Sequence, residues 1–207
     1  MSASEFSGRH VLVTGAGSGI GAAIARAFAE RGACVSLAGR RRAPLEEVAA
    51  ALPAKTSLVL ADFDVTDAQA IARGLAIARE KFGPLDIVVN NAGDAPSAPF
   101  DKIDQAMWSH TIGVDLTGVF LVTQAAMPDL RKRGAGARIV NIASTAGLKG
   151  YAYVAAYCAA KHGVIGLTRA LALELARTGI TVNAICPGFA DTPLVQRSVE
   201  AIVAKTG

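Results

Sequence analysis

Aromatic residues are scarce in this chain. They make up 5% of its 207 residues, with a single tryptophan. The core must therefore be mostly Ala, Val, Leu and Ile, drawn from an apolar fraction of 52%. Cysteine is scarcer still: Cys34, Cys158 and Cys186 are odd in number and far apart. They show neither zinc-type spacing nor a disulfide framework, which points to a reducing compartment and to no metal site. Strong charge of one sign is also missing. The formal net charge is +4, and basic runs stop at three residues, at 40–42 and 131–133. Nucleic acid is not implied by so mild a balance. No apolar run reaches the ~18 residues that a membrane span requires. Residues 1–9 are short and polar, without the apolar centre of a signal peptide. These absences lead to an expectation of one soluble, cytoplasmic domain over residues 1–207, with no nucleic-acid or membrane partner.

What is present alternates. His10-Val11-Leu12-Val13 reads as a buried strand. It runs into Thr14-Gly15-Ala16-Gly17-Ser18-Gly19-Ile20-Gly21, and an apolar-periodic helix follows over 22–31. Glycine lets a backbone approach a ligand closely. A glycine turn between strand and helix aims free N–H groups and the helix dipole at an anion. The spacing is G-x-x-x-G-x-G rather than the commoner G-x-G-x-x-G. A second strand, Cys34-Val35-Ser36-Leu37-Ala38, ends at Gly39 and Arg40. An acid at this place would hold an adenosine ribose hydroxyl, whereas an arginine accepts a 2′-phosphate. Arg41 and Arg42 read more readily as solvated charges at a helix start.

Further strands are expected at 58–61, 87–89, 138–144 and 180–185. Helices are expected at 68–81, capped by Thr66 or Asp67, from about 104 to 134 with a kink at Pro128, and at 157–176. Strands alternating with helices give an α/β fold: a Rossmann-type, doubly wound parallel sheet with helices on both faces. Ligands bind such sheets at the carboxyl ends of the strands. Gly15, Arg40, Asp64, Asn91, Ser144 and Pro187 all fall at or just after predicted strand ends.

The helix at 157–176 opens with Tyr157-Cys158-Ala159-Ala160-Lys161. Residues four apart share a helix face, so phenol and ammonium project side by side. A fixed positive charge favours phenolate and lowers the phenol pKa. Bringing it from ~10 to ~7 takes roughly 4 kcal/mol of differential interaction. The result would be an acid–base group matched to neutral pH. Taken alone, a packed tyrosine with an exposed lysine one turn on explains the pair equally well.

Together, the glycine motif at 14–21, Asp64-Val65, Asn90-Asn91-Ala92-Gly93, Ser144, Tyr157-x-x-x-Lys161 and Pro187-Gly188 with Thr192 resemble the short-chain dehydrogenase/reductase family, in the family's order. The stretch 163–193 is similar to ketoreductases acting on 3-oxoacyl thioesters and aromatic polyketides. The resemblance implies that Ser144 binds the substrate carbonyl, Tyr157 gives or takes its proton, and Lys161 holds the nicotinamide ribose. It implies further dinucleotide contacts from Gly15, Ser18, Gly19, Ile20 and Gly21, from Asp64 and Val65 at adenine, and from Asn91, Ala92 and Gly93. Pro187, Gly188 and Thr192 would meet the carboxamide end. Hydride chemistry would come from the nicotinamide. Arg40 tilts the expectation towards NADP, with NAD as the alternative.

Two departures stand out. The family usually has asparagine where this chain has Asp115, which keeps a backbone role in the proton relay but lacks amide donors. A structural acid at a helix kink is the competing reading of Asp115. Family members also continue beyond the region of Gly207 with a final strand. Six strands would leave an apolar sheet edge open, so the family's C-terminal strand is expected to be missing from residues 1–207.

The expectation is thus an NADP-dependent reductase of a ketone, as in a 3-oxoacyl thioester. The alternative is an NAD-dependent dehydrogenase of a secondary alcohol or hydroxyacyl-CoA. Residues 94–100, 148–153 and Phe189 are expected to line the substrate pocket. The basic run at 131–133 reads as a solvated helix end or as a site for an acidic carrier protein. Apolar side chains spread all round the helices at 108–127 and 157–176, which predicts a homotetramer of paired dimers.

Overall fold

The computed structural model describes residues 5–190. Six strands form one sheet: β1 (His10–Thr14), β2 (Cys34–Ala38), β3 (Ser57–Leu60), β4 (Ile87–Asn90), β5 (Arg138–Ile142) and β6 (Thr181–Ile185). Their order is β3-β2-β1-β4-β5-β6, and every neighbouring pair is parallel. The expected doubly wound sheet is therefore present. Its strand ends differ from the sequence expectation by a residue or two, because pairing rather than apolar content sets where a strand stops.

Helices cover both faces: α1 (Gly19–Ala29), α2 (Arg42–Ala50), α3 (Ala68–Phe82), α4 (Gln105–Ile112), α5 (Gly118–Arg133) and α6 (Ala155–Leu175). Strand alternation divides the core accordingly. Val11 and Val13 pack with Ala25, Ala29 and Leu45 of α1 and α2. Leu12, between them, packs with Ile71 and Leu75 of α3, Val122 and Leu130 of α5, and Leu175 of α6. All three β1 side chains are fully buried. Truncating one of that size to alanine typically costs about 2–5 kcal/mol. A strand buried on both faces reads as a continuous apolar run, which is why β1 was visible in the sequence.

Asp67 caps α3 by accepting from the Gln69 N–H at 2.7 Å, and Asp104 caps α4 by accepting from Met107 at 2.7 Å. The single helix expected from 104 to 134 is divided. Between α4 and α5 lies one wide turn of π-helix, Gly113–Thr117. Such turns insert an extra residue and gather at functional sites. Pro128 lies within α5, which runs on to Arg133.

Arg131, Lys132 and Arg133 close α5 at the amino-terminal end of the sheet. There Arg133 Nε meets Asp86, just before β4, at 2.8 Å, and Arg131 faces Glu174 at 3.8 Å. This end lies opposite the one that carries Tyr157. The Arg131 and Arg133 side chains are 53% and 43% exposed while making these pairs, as at a solvated helix end. No described helix is long and apolar enough to cross a membrane.

Candidate active site

Strand order reverses beside β1, whose neighbours β2 and β4 lead away in opposite directions. At this switch point an open sheet leaves a crevice over its carboxyl edge. A cleft of about 570 Å3 occupies it. The glycine loop forms one wall through Gly15, Ser18, Gly19 and Ile20. Ser18 makes no side-chain cap to α1, and the first turn of α1 holds no acid. The leading N–H groups of α1 are thus left without a side-chain acceptor, as a phosphate-binding turn requires.

Gly21 does not line the cleft. A Cβ there would strike the Gly15 carbonyl and the Asn91 side chain, so its place is behind the loop, letting α1 sit close. Asn91 braces the same loop. Its amide donates to the carbonyls of Thr14 at 2.9 Å and Gly15 at 3.2 Å, while its own N–H and that of Ala92 each donate to Thr14 Oγ1 at 3.0 Å. Asn91 therefore faces the cleft with its amide already used.

Arg40 and Arg41 both line the cleft beyond β2, with Asp64 and Val65 close by. Arg41, the N-cap residue of α2, is exposed as a solvated helix-start charge is, and it also borders the cleft, whereas Arg42 turns to Glu46 at 3.5 Å. Burial works to raise the Asp64 carboxyl. The Thr66 N–H and hydroxyl, each donating at 2.8 Å, together with the Arg40 charge, more than offset it and hold the group below its ordinary value.

At the other end Ser144, Tyr157, Lys161 and Asp115 meet, with Pro187 and Gly188 beside them. Ser144 follows β5; its hydroxyl accepts from the Ala146 N–H at 3.1 Å and lies near enough to the Tyr157 phenol to favour its ionised form. Lys161 lies one helical turn on and is 3% exposed. Its Nζ donates to the Ile142 carbonyl at 3.2 Å, stands 5.4 Å from the Tyr157 ring centre and lies 3.1 Å from Asp115 Oδ1. Burial pushes the Tyr157 phenol above its ordinary value. Lys161 and the Ser144 hydroxyl pull it down, Asp115 pushes it up, and the balance is upward. Lys161 acts in the expected direction, but the balance runs opposite to the lowering expected from the lysine alone. Desolvation of the phenolate outweighs an ammonium whose charge Asp115 already offsets.

Asp115 is fully buried in the π turn. Its Oδ2 accepts from the Asp94 N–H at 3.2 Å, whereas Oδ1 has no well-aligned donor. The competing structural reading placed it at a helix kink. It does sit at an irregular turn, but its carboxylate faces Lys161. Burial pushes the carboxyl up, against the pull of that ammonium.

Thr192 lies outside the described residues. Of the residues expected to line a substrate pocket only Asp94 borders the cleft; Tyr151 is hydrogen-bonded to Thr145 at 3.0 Å and set edge-on to Phe189 at 6.0 Å. Tyr153 adopts a φ of +67°, rare for a bulky residue, and its carbonyl accepts from Ala98 N–H at 2.8 Å, lacing the two loops together.

Sequence reasoning missed a buried ladder beneath the site. Asn90 donates to Thr123 at 2.9 Å and to Asn141 at 2.8 Å, and Asn141 donates to Thr168 at 2.9 Å. This ladder ties β4 and β5 to α5 and α6. Its only signal was a polar residue inside each of two otherwise apolar strands, paired in register.

The short chain dehydrogenase family model matches residues 9–202. A granaticin polyketide synthase protein named for ketoacyl reductase activity, from Streptomyces violaceoruber, is 45% identical over 90% of this chain and 69% of its own length. D-beta-hydroxybutyrate dehydrogenase of Cupriavidus necator is 41% identical over 97% of this chain and 78% of its own. A solved structure of an actinorhodin polyketide ketoreductase variant with NADPH superposes with TM-score 0.89 at 37% identity, covering 100% of this chain and 79% of that one. With the sheet order, the cleft and the Ser144–Tyr157–Lys161 cluster, these likenesses show that the chain belongs to the short-chain dehydrogenase family, as an oxidoreductase of alcohol and ketone groups.

Proposed function

We propose that this protein is an NADP-dependent reductase that converts a ketone, in the class of 3-oxoacyl thioesters, to a secondary alcohol. The observation that carries the reading is the pairing of Arg40 and Arg41 at one end of the cleft that holds Tyr157 at the other. Two arginines, with Gly39 rather than an acid at the end of β2, suit a 2′-phosphate. The uncapped start of α1 suits the pyrophosphate. When bound, the nicotinamide would supply the hydride. Likeness to a protein named for ketoacyl reduction and to a ketoreductase solved with NADPH supports the same reading.

The chain's own residues do the rest. Ser144 and Tyr157 would direct their hydroxyls at the substrate carbonyl oxygen, where charge develops. Tyr157 would donate its proton there; burial keeps the phenol protonated but weakens it as an acid, and Lys161 and Ser144 work against that loss. Lys161 would hold the ribose hydroxyls and place its charge beside the phenol. Asp64, Val65, Ala92 and Gly93 would border the adenosine, and Pro187 and Gly188 the carboxamide. Asp115 would act through Lys161.

The test is a substrate panel of ketones and 3-oxoacyl thioesters, run with NADPH and with NADH. Faster, tighter turnover with NADPH is expected. Turnover only with NADH and secondary alcohols would favour oxidation by an NAD-dependent dehydrogenase, the reading that likeness to D-beta-hydroxybutyrate dehydrogenase supports.

A homotetramer belongs to the same proposal. Phe120 on α5 is 45% exposed and Leu173 on α6 is 80% exposed, on the two helices expected to pair between subunits. Gly163 of α6 makes room for Leu116 of the same chain. Light scattering at micromolar concentration should give four times the chain mass; a monomer would reject the assembly.

A further inference from the structure

The Asp115–Lys161 pair is built with unusual care. Asp115 and Lys161 are both buried and 3.1 Å apart. Gly93 is what lets the carboxylate in: a Cβ at that position would lie 2.6 Å from Asp115 Oδ1 and 3.5 Å from Lys161 Nζ. The π turn provides the extra residue that turns Asp115 inward. One oxygen is anchored by the Asp94 N–H, and the other is left to the ammonium. An amide at this position would carry no charge to offset Lys161.

We propose that Asp115 is a charge-setting residue: by neutralising Lys161 it keeps the Tyr157 phenol in its proton-carrying form across the neutral range. This rests on the reductase reading above only for its use in catalysis, since the electrostatics concern the protein alone. A lone Lys161 ammonium would favour the phenolate, and the carboxylate cancels that pull at close range. The other ionisable groups facing this cluster are few. Asp94, on the loop after β4, adds a second negative charge and is itself paired with His110 of α4 at 3.6 Å. Cys158, next to Tyr157 on α6, is buried and acts on the phenol in the same direction as Asp115. With Asp115 ionised, as Lys161 and the Asp94 N–H favour against its burial, the neighbourhood holds one ammonium against two carboxylates.

The experiment titrates tyrosinate absorbance in the protein without cofactor, taking the difference between each chain and its Tyr157→Phe counterpart. In the parent, Tyr157 should ionise above the ordinary value of ~10. In Asp115→Asn, which matches the parent in shape, it should ionise about one pH unit or more lower. An unchanged or higher midpoint in Asp115→Asn overturns the proposal. Should that variant not fold, a parent midpoint at or below ~10 overturns it equally. With a substrate in hand, the break in kcat/KM against pH should move down in Asp115→Asn and return in Asp115→Glu. If no ketone or alcohol is turned over, the reductase reading fails while the absorbance titration still decides the role of Asp115.

Discussion

Asp86 and Asp115 are both buried carboxylates beside cations, at opposite ends of one sheet, and they are held very differently. Asp86, at the amino-terminal end, has both oxygens engaged. Oδ2 accepts from the His10 N–H at 2.8 Å, and Oδ1 faces Arg133 Nε at 2.8 Å and Arg9 at 3.5 Å. Those arginine side chains are 43% and 30% exposed, so their charge stays solvated. Asp115, at the carboxyl end, faces a lysine side chain that is 4% exposed, and one of its oxygens lacks an aligned donor. An ion cluster with a fully engaged carboxylate and partly wet arginines ties the chain together at little electrostatic cost, Arg9 Nη1 being its one buried atom without an aligned partner among the described residues. A dry, incompletely satisfied pair is costly to bury and shifts the ionisation of its neighbours. One end of the molecule is arranged for stability and the other for proton chemistry.

The sharpest way to break this contrast is Tyr157→Phe. Loss of the phenolic proton should lower kcat by roughly 10²–10⁴-fold. Calorimetry should find NADPH binding nearly unchanged, because Lys161 remains. Turnover within a few-fold of the parent would remove the tyrosine from the mechanism. Ser144→Ala should come next, with kcat down by about 10²-fold through the loss of one donor to the carbonyl oxygen. No change under conditions where chemistry limits the rate would reduce Ser144 to a turn residue.

Arg40→Ala should weaken NADPH binding by roughly 10–100-fold and NADH binding far less, since a charge-assisted contact contributes about 1.5–3 kcal/mol. Equal losses for both cofactors, measured by calorimetry, would transfer the assignment to NAD.

The amino-terminal end should answer in stability instead of rate. Asp86→Ala strands the buried His10 N–H, which costs about 1–3 kcal/mol, with little added by the solvated arginines. Urea denaturation should show that loss with kcat unchanged. A fall in kcat without loss of stability would break the division of labour.

The smallest effect concerns His10. Burial lowers its pKa, while its ring nitrogens bond Gly83 O at 2.8 Å and Ser36 Oγ at 2.9 Å. The unfolded chain takes up a proton near the ordinary ~6.5, and the folded chain only at lower pH. Between those values the unfolded state holds more protons, so stability rises with pH. The contribution is complete above ~6.5 and fades as pH falls below it. An NMR titration placing His10 above that value would reverse the sign.

The sequence revealed this site because its residues are bound by local rules. A glycine turn after an apolar strand needs no distant contact to be recognised, and Tyr157 and Lys161 share a helix face whatever lies around them. Asn90, Asn141 and Thr168 were not legible as a ladder, because each is an isolated polar residue until β4, β5 and α6 bring them together. That Arg41 borders the cleft was not legible for a similar reason: a residue at a helix start faces open solvent or a cleft edge according to how α2 packs.

By itself, then, the chain determined its alternation of strands and helices, the parallel sheet and the end of that sheet where chemistry would gather. Those follow from periodicity, turn chemistry and the period-of-four geometry of a helix. Only the tertiary structure decided the ionisation of Tyr157. The lysine four residues on predicted a lowered phenol. The fold buried that phenol and brought Asp115, 46 positions away in the chain, against the lysine. Desolvation and a third charge are properties of the packed interior, and no spacing along the chain encodes them.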